Sequence, residues 1–335
     1  MSERQNNDYS GLEHSGFEKL KDIHRKIQTD LRSSVKSDDT EDHFETVVYG
    51  PPSMILTHVF IRLGIGPNTV TMLSLLFGVC GSLFFFSRNP LINFIGIVIE
   101  YIAIVLDCSD GQVARLTNSG TQFGRFLDGL VDSVNFIAVY AVLGLRMMLK
   151  ETIPFTSIRW YGYVWIALLV SGYFHAEQAR MADYFRSLHL SFQHQHDSAV
   201  FTSSKKIKEE IAESKDTPLY NKIYLRVYYL YTRAQEKATP CTQRLLNAIE
   251  DNGGHISEEL AEAFISKSRR YVQLTNVLTL NLRAYTLYLL ILLRLHAFFF
   301  PFNIIVLGAI MIYMIAKYEK IAREVCDQFF ADSSF

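Results

Sequence analysis

Six long apolar runs constrain this chain more than any other feature. They fall at Val70–Phe86, Leu91–Leu106, Leu130–Leu149, Ile158–Tyr173, Leu274–Phe300 and Phe302–Ala316. Several approach the ~20 residues needed to cross a bilayer, with few charges inside. Buried core helices of a soluble protein are the alternative. Six such runs, two of them ending in Phe84-Phe85-Phe86 and Phe298-Phe299-Phe300, argue against it. The expected fold is an all-α integral membrane protein, a bundle of about six transmembrane helices. The fifteen-residue run after Pro301 makes the weakest span.

The remaining segments are polar. Residues 1–45 read as a cytoplasmic arm with no cleavable signal peptide. Within it, residues 1–12 read as disordered. Phe17, Leu20, Ile23, Ile27 and Leu31 then recur at helical spacing among Lys19, Lys21, Arg25, Lys26 and Arg32. That pattern suits either a basic helix lying on the membrane or a solvated helix. Met54–Leu63 is apolar but too short to span and reads as an interfacial helix leading into Pro67. Residues 46–180 hold crossings one to four. Residues 181–274 carry "KKIKEEIAESK", "PLYNKIYLRVYYLYTRAQEK" and "ISEELAEAFISKSRR". They read as a helical cytoplasmic insertion of roughly 90 residues, enough for a small subdomain. Residues 275–325 hold crossings five and six, and 326–335 form a tail.

Charge sets orientation and excludes one class of partner. The net charge is -1, so no global basic field points to nucleic acid. With a cytoplasmic N-terminus, the external turns hold Arg88, Arg146, Lys150, Arg159 and Arg294, five of the 33 Lys and Arg residues. The short internal turn at 111–125 and the tail then follow the positive-inside rule. Cys80, Cys108, Cys241 and Cys326 are scattered, without metal or disulfide spacing, and read as reduced thiols.

The stretch "LDCSDGQVARLTNSGTQFGRFLDGLVD", Leu106 to Asp132, places four carboxylates at the end of an apolar run. Asp107, Asp110, Gly111 and Ala114 are spaced i, i+3, i+4, i+7 and share one helix face. Gly124, Asp128 and Asp132 are spaced i, i+4, i+8 and share another. Two helices with these faces can approach closely and aim four carboxylates at one point. Unpaired, these anions would repel strongly. Hard oxygen ligands suit Mg²⁺ or Mn²⁺, and one or two such ions would clamp an anionic phosphate group. Gly111 and Ala114 leave room for that group, and Arg115 offers a planar fork to it. A charge cluster neutralised by Arg115 and Arg125 is the alternative, but two arginines cannot balance four aspartates.

In order and spacing, Asp107, Asp110, Gly111, Ala114, Arg115, Gly124, Asp128 and Asp132 resemble the signature of the CDP-alcohol phosphatidyltransferases. The upstream "GPNTVT" (Gly66–Thr71) resembles the family too; the arm and the insertion do not. The resemblance implies transfer of a phosphatidyl group from CDP-diacylglycerol to a small polar alcohol. The alcohol oxygen attacks the β-phosphorus and CMP leaves, a step in phospholipid biosynthesis. It implies two metal ions on Asp107, Asp110 and Asp128, with Asp132 completing the cluster and acting as general base. It implies contacts to the CDP moiety from Gly111, Ala114, Arg115 and Thr121, flanked by Asn68 and Thr71. A homodimer is implied as well. By the distribution of Lys and Arg the active site faces the cytoplasm, and a bacterial inner membrane is the expected location.

The acceptor is less legible. "DGLVDS" (Asp128–Ser133) departs from the "DPxADK" of phosphatidylglycerophosphate synthases. "FIAVYAVLG" after Asn135 lacks the "GxAPA" of phosphatidylserine synthases. "DSVN" (Asp132–Asn135) faintly resembles the choline and ethanolamine phosphotransferases, in which diacylglycerol is the acceptor. The remaining comparison is with bacterial and archaeal enzymes that use inositol phosphate. A phosphorylated acceptor needs fixed cations, for which Arg180 and Arg283 are candidates. Arg283 has two other fates: snorkelling to the interface or pairing with Glu100. Glu100 and Asn135 either face the aspartates or bond each other. His175 and Glu177 line a cavity mouth or form a polar cluster at the bundle end. A cation transporter using the aspartates is the reading from another functional class. It lacks a second ring of carboxylates at mid-membrane.

Overall fold

The computed structural model describes residues 47–193, 203–213 and 219–330. The arm at 1–45, its proposed amphipathic helix and residues 331–335 of the tail lie outside the described residues, while residues 326–329 of the tail continue the last helix. Among the described residues the chain is helical, with one isolated bridge between Thr152 and Arg159. The fold is that of an all-α membrane protein. It divides into two compact units, with the break after Glu151.

The first unit holds α1 (Gly50–Arg62), α2 (Pro67–Phe84), α3 (Pro90–Leu116) and α4 (Gln122–Lys150). Local chemistry fixes the starts of three of them. Pro67 and Pro90 stand at the first helical turn, where a missing N–H costs nothing. Asn89 caps α3 by accepting from the Leu91 N–H at 3.0 Å. Thr121 caps α4 by accepting from the Gly124 N–H at 2.9 Å.

The helices meet where side chains are smallest. A Cβ on Gly96 of α3 would lie 2.8 Å from Phe84 Cβ and 2.9 Å from the Gly81 carbonyl oxygen of α2. A Cβ on Gly81 would meet Glu100 at 3.0 Å, and one on Gly78 would strike the Asn135 side chain of α4 at 2.5 Å. Small residues at such crossings let backbones approach closely, the main source of helix affinity in lipid.

Helix α1 docks by polar contacts. Thr57 Oγ1 donates to Gln112 Oε1 at 2.9 Å, and Gln112 Nε2 donates to Ser53 Oγ at 2.8 Å. Ser109 Oγ donates to the Ser53 carbonyl at 3.0 Å. All four residues are buried. At the other end of the unit, the buried Arg146 of α4 donates to the Phe85 carbonyl at 3.0 Å and pairs with Glu151 at 2.7 Å. Lys150 donates to the Phe86 carbonyl at 3.1 Å. These cations satisfy orphan carbonyls at the C-terminus of α2.

The second unit holds α5 (Tyr163–Gln193), α6 (Ser204–Glu213), α7 (Leu219–Ala238), α8 (Pro240–Asp251), α9 (Glu258–Val277), α10 (Leu280–Leu292) and α11 (Gly308–Phe329). A 3₁₀ turn at His296–Phe298 and a π segment at Phe302–Leu307 lead into α11. Pro301 withholds a backbone donor just ahead of the π segment, which is where helical register slips. The core is aromatic. Phe185 stacks on Tyr318 with ring centroids 4.2 Å apart, and Phe192 on Phe264 at 4.1 Å. Leu245 and Ile249 of α8 and Leu260 of α9 complete it.

Among the described residues, four stretches are long and apolar enough to cross a membrane: Pro67–Phe84, Pro90–Leu116, Leu127–Lys150 and His296–Phe329. They match the first, second, third and sixth apolar runs. The other two runs fold differently from the sequence expectation. Helix α5 is 31 residues long, but its apolar part ends near Phe174 and polar residues follow. The run from Leu274 to Phe300 is broken at Leu278–Thr279 and again after Leu292. The thirteen residues of α10 reach only about 20 Å, short of a ~30 Å hydrocarbon core. The weak sixth run, by contrast, joins a 34-residue helical stretch. Large apolar side chains such as Leu76, Leu83, Phe94, Ile137, Ile305 and Ile312 are exposed along the four spans, as lipid-facing residues must be.

The α2–α3 crossing gives a stability prediction. Gly96→Val adds side-chain atoms against backbone that cannot move aside, so it should destabilise the protein by about 1–3 kcal/mol. A lowered thermal midpoint in detergent is the expected result. Gly172→Ala, where an added Cβ meets nothing within 4 Å, serves as the control and should not lower it.

Candidate metal centre

The carboxylates converge within the first unit. One oxygen from each of Asp107, Asp110 and Asp128 lies within 4.8 Å of the corresponding oxygens of the other two. Asp107 and Asp110 come from the last turns of α3, and Asp128 from the second turn of α4. Asp110 is 6% exposed, while Asp107 and Asp128 are half-buried. Asp132 stands one turn beyond Asp128 on α4 and is not one of these three. It is close enough to Asp128 and Asp110 for their charges to act on it.

The other residues singled out by sequence surround this group unequally. Thr71 of α2 donates its hydroxyl to Asp110 Oδ2 and also to the Pro67 carbonyl at 3.1 Å. Its place is thus on a carboxylate of the centre, a contact that orients Asp110. A Cβ built on Gly111 would lie 3.1 Å from Arg115 Nη1, so the guanidinium folds back over the glycine. Arg115 is exposed, and its charge reaches Asp110. Ala114 is half-buried on the same helix. Gly124 faces the Asn68 side chain: its virtual Cβ would be 3.2 Å from Asn68 Oδ1 and 3.2 Å from Thr121 Oγ1. Asn68, Gly124 and Thr121 therefore sit together where α2 and α4 begin. Thr121 also spends its hydroxyl as the cap of α4.

Arg180 and Arg283 belong to the second unit, in a different setting. Arg283 is 0% exposed. Its Nη2 donates to Gln178 Oε1 at 2.7 Å and to the Leu278 carbonyl at 3.2 Å. Gln178 in turn donates to the Asn303 carbonyl at 2.8 Å, and Asn303 to Ser171 Oγ at 2.8 Å. This is a buried polar network linking α5, α10 and the π segment. Arg180 pairs with Glu177 and donates to the Tyr231 carbonyl at 3.3 Å.

Three close carboxylates need positive charge. The donor set is all oxygen, without sulfur or imidazole, which suits Mg²⁺ or Mn²⁺ over Zn²⁺ or copper. Glycines at 111 and 124 keep the neighbouring surface free of bulk, as a close-fitting anionic group requires.

Sequence spacing alone does not reveal what holds this geometry. Ser53, Thr57, Ser109 and Gln112 brace α3 one face away from the aspartates. Their signal was the i, i+4 pair of hydroxyls at Ser53 and Thr57 inside an apolar helix. The Gly78–Asn135 contact lies two turns deeper and brings α2 onto α4.

Comparison with known proteins concerns the same part of the chain. A family model described as CDP-alcohol phosphatidyltransferase matches residues 65–183. The chain is similar to a phosphatidylinositol phosphate synthase of Mycobacterium tuberculosis, 34% identical over 83 residues, covering 25% of this chain and 37% of that protein. It is similar to an archaetidylinositol phosphate synthase of Pyrococcus horikoshii, 28% identical over 96 residues, covering 29% and 50%. A CDP-diacylglycerol–serine O-phosphatidyltransferase of Mycobacterium leprae is 33% identical over 92 residues, covering 28% and 30%. The chain thus spans between 30% and 50% of the length of these relatives. No solved structure matches it. Every carboxylate of the centre, together with Asn68, Thr71 and Arg115, falls inside the matched stretch: residues 65–183 of this chain are a CDP-alcohol phosphatidyltransferase domain.

Proposed function

We propose that this protein is a divalent-metal-dependent enzyme that moves a phosphatidyl group from CDP-diacylglycerol to a phosphorylated polyol, inositol phosphate, releasing CMP. The observation that carries the reading is the convergence of Asp107, Asp110 and Asp128 within 4.8 Å. The choice of acceptor is supported by the similarity to proteins named phosphatidylinositol phosphate synthase and archaetidylinositol phosphate synthase. It is also supported by the departures from the glycerol phosphate and serine patterns noted in the sequence.

Asp107, Asp110 and Asp128 would hold Mg²⁺ or Mn²⁺, one ion or two, which when bound supplies positive charge to the pyrophosphate and to the departing CMP. Thr71 holds Asp110 in its ligating orientation. Arg115, folded over Gly111, offers its fork to the nucleotide phosphate. Asn68, Thr121 and Gly124 form the opposite wall for the nucleotide. Asp132 takes the proton from the acceptor hydroxyl as its oxygen bonds to the β-phosphorus and the bond to CMP breaks. The charge distribution of the loops supports a cytoplasmic active site, and the bacterial and archaeal relatives support a prokaryotic plasma membrane.

Two measurements test the proposal. Purified protein incubated with CDP-diacylglycerol, Mg²⁺ and a panel of alcohols should release CMP with inositol phosphate and far less with serine or glycerol 3-phosphate. Chelation should abolish release, and Mg²⁺ or Mn²⁺ should restore it. Activity that survives stringent chelation, or metal flux into vesicles without lipid substrate, would remove the proposal. Separately, Asp132→Asn should lower kcat by about 10²–10⁴-fold while CDP-diacylglycerol affinity stays near wild type. Asp128→Asn should instead raise the Mg²⁺ concentration needed for half-maximal rate. Full turnover by Asp132→Asn would reassign the base.

A further inference from the structure

Helix α7 carries a surface that the proposed chemistry does not use. Its inward face is fixed to α5 by Tyr231 and Gln235. The Tyr231 carbonyl accepts from Arg180 Nη1 at 3.3 Å, and its hydroxyl donates to Asp183 Oδ2 at 3.4 Å. Gln235 Nε2 donates to the Arg180 carbonyl at 3.5 Å. Leu225 and Thr232 are buried on that same side.

The outward face is different. Arg226, Leu230, Arg233 and Lys237 are spaced i, i+4, i+7, i+11 and form one stripe, and all four are exposed. Val227 flanks the stripe. Val227 and Leu230 are 61% and 63% exposed. Tyr229 stands at its edge, accepting from Arg233 Nη1 at 3.2 Å. Among the described residues no carboxylate of α7 interrupts this stripe: Glu236, the sole acidic residue of α7, is turned aside to accept from the Ser204 backbone N–H at 2.7 Å and from the Ser204 hydroxyl. Bare aliphatic side chains beside charge of a single positive sign are the composition of a helix face that lies on a membrane surface.

The depth of this helix matters. The apolar part of α5 ends near Phe174, and Arg180, to which α7 is tied, lies six residues further on. That is about 9 Å along the helix, roughly the thickness of one headgroup layer. The tether thus joins α7 to α5 just beyond the exposed apolar Ile166, Leu169 and Tyr173, and cations and tyrosines such as those of α7 are residues that anchor at a bilayer surface. From the exposed Val227 and Leu230, the one-signed stripe and the tether to α5, we infer that α7 docks on an anionic lipid surface through Arg226, Leu230, Arg233 and Lys237. Leu230 and Val227 enter the headgroup layer, while the three cations bind lipid phosphates.

The test reads the environment of the helix and is independent of enzymatic turnover. An environment-sensitive fluorescent amino acid is placed at Leu230 in the full chain, reconstituted in nanodiscs of phosphatidylcholine alone or with phosphatidylglycerol. Lipids carrying a nitroxide near the headgroup act as quencher. Quenching at Leu230 should be at least about twofold stronger in the anionic discs, and should fall to the neutral-disc level in Arg226→Gln/Arg233→Gln/Lys237→Gln. The same label at Glu209, on the exposed side of α6, should stay unquenched throughout. Equal, weak quenching of Leu230 in both discs would overturn the inference, because the face then meets water. A blue shift that depends on protein concentration in detergent would also overturn it, because the face then meets a second copy of the chain.

Discussion

Three carboxylate oxygens within 4.8 Å of each other set the terms for the first unit. At an effective dielectric of 20, two unit charges about 5 Å apart repel by about 3 kcal/mol, and three such pairs exist. No helix pair would keep this arrangement unless packing elsewhere forced it and a counter-charge relieved it. The packing is visible: Gly96 against Gly81, Gly78 against Asn135, and the Ser53–Thr57–Gln112–Ser109 ladder. The counter-charge is what the proposed metal ion supplies. Stability and chemistry thus oppose each other at one place, which is common where a site is built to bind an ion.

Much of the centre was legible because it is local. Asp107, Asp110 and Gly111 share a helix face by spacing alone, as do Gly124, Asp128 and Asp132, and the short connection at 117–121 folds one helix back on the other. The supporting contacts were not legible, because they join residues far apart in the chain. Thr71 reaches Asp110 across 39 positions and Ser53 reaches Gln112 across 59. Thr71 looked like part of a nucleotide wall, yet its hydroxyl is spent on a carboxylate. No periodicity encodes such a pairing.

Apolar runs were a good guide to membrane character and a poorer guide to the number of spans. A run predicts burial from water, either in lipid or in protein. Leu274–Phe300 is broken at Thr279, and Leu278, Arg283 and Ile291 are buried inside the protein. Arg283 shows why: its guanidinium bonds Gln178 and the Leu278 carbonyl, so this part of the run encloses a polar network. Likewise, residues beyond 181 looked like a separate insertion, yet α5 continues unbroken to Gln193. Its Phe185 and Phe192 stack on Tyr318 and Phe264. Charged composition described the surface of these helices but not the aromatic core beneath.

The depth of the centre follows from counting along α3. Asp107 lies seventeen residues after Pro90, about 26 Å of helix, close to the thickness of a hydrocarbon core. Carboxylates much earlier in that helix would sit in lipid with no water to help them, and carboxylates much later would be fully solvated and bind an ion weakly. At this depth the acyl chains of a lipid substrate can stay in the bilayer while its nucleotide stays in water, with the pyrophosphate between them. Glycines at 111 and 124 keep side chains small beside the carboxylates, room that a headgroup in the proposed reaction would use. The position of four aspartates at the end of an apolar run, costly for a structural charge cluster, is the position that the proposed reaction on a membrane-held pyrophosphate would need.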